Sequence, residues 1–177
     1  MLQFKPIELT DKPWIDELLA LSDFQGCEYN FTNNFVWLNI YGISICRFKD
    51  FYIVKSSKGF FFPAGQGNIR ELIKELSDYS TKKGEKLRFV TMDKTSKEQL
   101  EKEFPGSFVF QTDEDVYDYV YTTESLSTLS GKKLHSKRNY INRFKQLDWN
   151  FEQISEDNID ECREYKYHFD KNIYVSL

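Results

Sequence analysis

Between residues 44 and 91 the hydrophobic period changes from two to about three and a half and back to two, and this switch limits the folds open to the chain. Three short alternating runs, 44–48, 51–55 and 59–62, are separated by the turn-like pairs Lys49-Asp50 and Ser57-Lys58 and read as strands. A helix over 68–82 follows, with Ile69, Leu72, Ile73, Leu76 and Tyr79 on one side and Gly84 placed as a left-handed C-terminal cap. A buried strand over 87–91 closes the pattern. Strands and helices thus occur together along this stretch, and the expectation is an α+β protein.

The flanks extend the reading. Residues 3–9 alternate like a strand, and Thr10 caps a helix with Asp11 and Pro13 in its first turn and Trp14, Leu18, Leu19 and Leu21 facing inward. Residues 30–41 read as a second helix with Thr32 as a cap. Asn30, Asn33 and Asn34 are further caps or lining for a pocket. A helix over 96–104 stops before Pro105-Gly106, and strands over 107–111 and 116–121 follow, the second carrying the alternating tyrosines of YDYVY. The order is β-α-α-β-β-β-α-β-α-β-β, and it resembles that of the GNAT acyltransferase fold. That resemblance implies a mixed sheet flanked by helices and splayed open where an acyl donor sits.

After Thr122 the pattern begins again: a short helix over 124–129, a basic helix to about Leu147, a strand over 149–154 and a helix from Asn158 to about Phe169. We therefore expect a first GNAT-like domain over 1–122 and, over 123–177, the start of a second one. One strand and one helix bury too little for a core of their own unless they pack on the first domain, on another chain as in a homodimer, or on further sequence.

The basic helix is the strongest functional signal. Lys132, Lys133, Lys137, Arg138, Arg143 and Lys145 fall within 131–145 without a single Asp or Glu, in a chain of 24 basic and 28 acidic residues with net charge -4. General attraction to nucleic acid or anionic lipid is excluded by that balance, so any such binding is local. Leu134, Ile141 and Phe144 recur at helical spacing, joined by Tyr140 and Leu147, and are expected to pack. Lys133, Lys137, Arg138, Asn139 and Arg143 are left to hold phosphates. The competing reading is a solvated face paired with the acidic run at Asp113, Glu114, Asp115 and Asp118, at little energetic gain.

A second candidate is the turn of PAGQGNIRELI, where Gly65 and Gly67 lead from a strand into a helix and would offer backbone N–H groups to a coenzyme pyrophosphate. GNAT loops usually begin with Arg or Gln, and Phe62 stands at that position here. A plain strand-to-helix turn is the competing reading.

Three cysteines, Cys27, Cys46 and Cys162, lack a CxxC pair, and His135 and His168 stand beside no metal-ligand spacing, so neither a disulfide framework nor a metal site is expected. No apolar run approaches the ~20 residues of a membrane span. With no N-terminal leader pattern, a cytoplasmic location is the expectation.

CEYNFTNNFVW, FFPAGQG, DEDVYDYVY and above all LSGKKLHSKRNYINRF are together similar to an uncharacterised bacterial family grouped with the phosphatidylglycerol lysyltransferase C-terminal domain. Ser136, Lys137, Arg138, Asn139, Tyr140 and Ile141 also resemble the SKxRYNIxxA-type helix of the Fem peptidyl transferases. The resemblance implies tandem GNAT-like domains and an acyl- or aminoacyl-transferase drawing on aminoacyl-tRNA or, as in GNAT enzymes, acyl-CoA. It names no catalytic residue in this chain. In tandem-domain relatives the chemistry is expected in the second domain, so by that resemblance the chain is expected to be incomplete for catalysis. The alternative is a non-catalytic GNAT-like binding or dimerisation module.

Overall fold

The computed structural model describes residues 2–164. The chain divides into two compact units, the first ending at Asp118 and the second beginning at Tyr119.

In the first unit the sheet is built on a hairpin. Strand β1 (Ser44–Phe48) pairs antiparallel with β2 (Phe51–Ser56), and β2 pairs antiparallel with β3 (Gly59–Phe61) through Lys55 opposite Phe60. A short β4 (Ala64–Gly65) returns to β2 with Phe51 opposite Gly65. The register against β2 slips by one residue between β3 and β4, while the amides of Phe60 and Phe62 face the β5 side, donating to the carbonyls of Arg88 at 2.9 Å and Thr91 at 3.2 Å. Helix α4 (Ile69–Lys82) then carries the chain to β5 (Phe89–Thr91), which pairs parallel with β3. The sheet is mixed, as the fold resemblance implied: close neighbours form hairpins, and the crossover through α4 returns parallel.

Both faces are covered. Along β2, Phe51 and Ile53 join a core with Phe60, Leu72, Leu76 and Leu100, the last from α5 (Lys94–Glu103). Tyr52 and Val54 point the other way, to Ile15 and Leu18 of α1 (Lys12–Ala20) and Phe31 of α2 (Phe31–Val36). Alternation along a strand sends successive side chains to opposite faces, and here each face meets a helix.

Several expected elements differ. Residues 3–9 make only one bridge among the described residues, Lys5 with Ile45, each donating its amide to the other's carbonyl. Thr10 lies inside a 3-10 turn, Leu9–Asp11, and does not cap; Glu8 and Asp11 bracket that turn reciprocally. Leu21 is 42% exposed, beyond the end of α1. The helix expected over 30–41 is two, α2 and α3 (Leu38–Tyr41), broken at Trp37, and its cap is the Asn30 side chain and not Thr32. β5 begins two residues later than the expected strand and is only half-buried.

No ladder forms over 107–111 or 116–121 among the described residues. Phe108 and Phe110 pack on the core as side chains without strand pairing, and the tyrosines of 117–121 are exposed. An aromatic alternation needs a neighbouring edge to become a strand, and among the described residues none pairs with this one. α5 starts at Lys94 because the Asp93 carboxylate accepts from the Ser96 amide at 2.7 Å.

In the second unit the Thr122 hydroxyl caps α6 (Thr123–Thr128). A 3-10 turn, Lys132–Leu134, leads into α7 (His135–Phe144). The strand expected over 149–154 forms no ladder among the described residues. Residues 159–164 are helical, and the rest of the helix expected to Phe169, with His168, lies outside the described residues.

Candidate functional site

The basic segment begins with a sharp turn ahead of α7, at which Leu129 takes a left-handed conformation (φ 47°) and Gly131 a φ of 90°. Half-buried Arg138 locks this turn: its Nη1 donates to the carbonyl of Leu129 and, at 2.9 Å, to that of Gly131. Arg138 therefore has partners inside the chain. Lys133, Lys137, Asn139 and Arg143 are exposed, and no carboxylate lies within ion-pair distance of Lys132, Lys133, Lys137, Arg143 or Lys145 among the described residues. Asn139 and Arg143, four apart, share one flank; Lys137 is one turn from Ile141 and projects elsewhere. Of the apolar residues expected to pack, Leu134 is half-buried, while Tyr140, Ile141 (41%), Phe144 (50%) and Leu147 are exposed, and Phe144 meets Trp149 at 5.3 Å between ring centroids.

In the first unit, Gly65 and Gly67 line a cavity of about 350 Å³ between the end of α1 and the first turns of α4 and α5. Their lack of a side chain is required by close approach: a Cβ on Gly65 (φ 122°) would lie 1.9 Å from the Asp50 carbonyl oxygen, and one on Gly67 2.8 Å from the Phe51 ring. Two amides of the turn already have partners, since Gly65 N–H donates to Ser22 Oγ and Gln66 N–H to the Asp50 carbonyl at 3.2 Å. The charged side chains lining the cavity are Asp23 and Asp93, both acidic. Sequence reading missed both, and also Ser96; the Asp93-x-x-Ser96 spacing was the available signal, because an Asp before a polar first turn is an N-cap.

Elsewhere, Asn34 is buried and donates to the Glu28 carbonyl at 2.9 Å and to the Tyr52 hydroxyl at 3.2 Å, so it fastens α2 to the sheet. Partial burial, then the Glu28 and Asp118 carboxylates, hold the Cys27 thiol above its ordinary pKa, the opposite of an activated nucleophile. Among the described residues no three His, Cys, Asp or Glu side chains gather as a metal would need, and no helix is long and apolar enough to cross a membrane.

A mixed sheet with helices on both faces, followed by a basic helix, is an α+β architecture suited to binding between its layers. Residues 19–168 match the model of the family described as phosphatidylglycerol lysyltransferase, C-terminal, and the chain belongs to that family. The match takes in the sheet, the cleft and the basic segment. The chain is also similar to the crystal structure of a conserved protein of unknown function from Bacteroides thetaiotaomicron VPI-5482, at 28% identity and TM-score 0.83, over 99% of this chain and 62% of that one. It thus spans less than two thirds of that protein's length. No curated protein matches.

Proposed function

We propose that this chain is an acyltransferase-like module of GNAT type that serves aminoacyl transfer, binding the phosphates of an aminoacyl-tRNA donor along its basic segment. The observation that carries the reading is the set of cations at Lys132, Lys133, Lys137, Arg143 and Lys145 without an acid partner among the described residues, inside a family-matched region. Clustered cations without acid partners give one segment of an acidic chain a local positive potential that an external anion can meet. Arg138 acts as a positioning residue that fixes the turn presenting them.

Transfer from an aminoacyl ester to an amine requires no covalent protein nucleophile. The amine attacks the ester carbonyl and the tRNA hydroxyl leaves, so the protein contributes orientation and electrostatics. Donor binding, not turnover, is the property we assign to the described residues. tRNA is preferred to acyl-CoA as donor because the Gly65–Gly67 turn has two amides occupied and faces carboxylates.

The test is a titration against aminoacyl-tRNA and acetyl-CoA at two salt concentrations. Saturable tRNA binding is expected, and Lys137→Ala and Arg143→Ala should each make the slope of log K against log salt shallower by about 0.7 to 0.9, the value for one phosphate left unneutralised. Unchanged affinity and slope in both variants would overturn the assignment, and saturable coenzyme binding would return the Gly65–Gly67 turn to the leading position. A second reading, self-association, is favoured by the exposed Tyr140, Phe151 and Ile154 and is tested by light scattering over a dilution series.

A further inference from the structure

The cleft of the first unit has a charge balance opposite to that of the basic segment. Asp23 and Asp93 are its charged side chains, while the cations on the first turns of its helices pair elsewhere, Arg70 with Glu103 at 2.5 Å and Lys94 with Glu98 at 3.8 Å. Against the two carboxylates stand the N-termini of α4 and α5, each equivalent to roughly half a positive charge, which leaves about one negative charge in the cleft. A phosphate would add to that excess. A divalent metal would lack ligands, as no suitable group of three occurs among the described residues.

Two further features favour a small organic cation. Ser96 is 2% exposed, lines the cavity and has a hydroxyl with no hydrogen-bond partner among the described residues, its amide alone being bound by Asp93. A hydroxyl at the cavity wall can accept from a donor that a ligand brings in. The apolar wall is also fixed in advance. Phe24, which lines the cavity, stacks on Tyr29 with ring centroids 4.1 Å apart, and the Tyr29 hydroxyl donates to the carbonyl of Phe62 at 3.1 Å, behind the same wall.

We propose that this cleft binds a primary ammonium group carried on a short apolar stem, the ammonium donating to Asp23, Asp93 and Ser96 and the stem lying against Phe24, Phe51 and Phe62. An ammonium offers three donors and a single charge, which matches both the acceptors and the excess charge. The proposal rests on the first unit alone, so it and the tRNA reading of the second unit stand or fall separately.

Calorimetric titration of the full chain with butylammonium, butane-1,4-diamine, alaninamide and the neutral isostere butanol tests it. Saturable binding of the ammonium compounds and none of butanol is expected. Asp93→Asn should raise Kd about tenfold, as loss of a hydrogen bond to a charged group does, without lowering the melting temperature, because Asn caps a helix as well as Asp. Ser96→Ala should raise it about threefold. If the diamine binds tighter than alaninamide the site is one for free amines; the reverse order assigns it to the ammonium of an aminoacyl group; either supports the site. Butanol binding as tightly as butylammonium, a Kd unmoved in both Asp23→Asn and Asp93→Asn, or saturable inorganic phosphate binding in the cleft would overturn it.

Discussion

The two units contain similar local material and use it differently. α4 and α7 are both amphipathic, yet Leu72 and Leu76 of α4 are wholly buried, whereas Ile141 and Phe144 of α7 are 41% and 50% exposed. Every buried hydrophobic residue of the described chain lies at or before Leu100. Ions follow the same division: Lys5, Lys49, Lys55 and Arg70 of the first unit each meet a carboxylate, and the cations of α7 meet none among the described residues. Periodicity thus states which residues can form one face, and only a partner layer decides whether that face is a core.

The sharpest way to break the comparison is to remove equal apolar volume from each unit. Leu72→Ala should destabilise by about 2–5 kcal/mol, since it empties a closed part of the core, and a urea denaturation curve should show the loss as a lower midpoint at unchanged slope. Ile141→Ala should cost less than about 1 kcal/mol, the usual range for partly exposed positions. Comparable losses from the two would mean that α7 packs in solution, and the contrast would fail.

A backbone test comes next in size. Gly65→Ala places a methyl group 1.9 Å from the Asp50 carbonyl oxygen at a φ of 122°, so either the β2–β4 pairing or the turn must shift. A cost of about 2–3 kcal/mol is expected from combined strain and weakened pairing. Gly131→Ala, at a φ of 90° with open space around it, should cost only about 1 kcal/mol. Thermal melts of the two variants measure the difference, and equal shifts would show that the glycine of the sheet is no more constrained than the glycine of the basic turn.

Much of the first unit was legible because its signals are local. The hairpin strands and α4 fall within a residue or two of their expected limits, since alternation, the Asn68 cap and Gly84 (φ 72°) each act over a few residues. The absence of strands over 107–111 and 116–121 was not legible, because pairing depends on an edge elsewhere in the fold. Charge clustering exposed the basic segment at once, but not the engagement of Arg138 by Leu129 and Gly131, a contact set by one left-handed residue. The cleft was hidden for a related reason. Its acids and its serine come from the turn after α1 and from the cap and first turn of α5, two places that no sequence spacing connects.

The smallest effect sharpens the ionic half of the comparison. Burial of Asp11 works against its charge, but hydrogen bonds from Lys5 Nζ at 2.8 Å, Trp14 Nε1 at 3.0 Å and the Glu8 amide at 2.9 Å outweigh it and hold the carboxyl below its ordinary value of 3.8. A carboxyl depressed in the folded state stabilises fully above its unfolded pKa. That stabilisation is lost as pH falls below 3.8 through the lower folded value. Lys5, raised chiefly by the same Asp11 contact, gives the mirror case, losing its contribution as pH rises through a value above 10.5. Asp11→Asn should therefore cost about 1–2 kcal/mol near neutrality and flatten the acid limb of the stability profile, so that the variant and the parent converge at the lowest pH. Arg143→Ala should leave that limb untouched, because its guanidinium has no acid partner among the described residues. Parallel acid limbs for Asp11→Asn and the parent would place the acid-sensitive group outside the first unit's ion cluster.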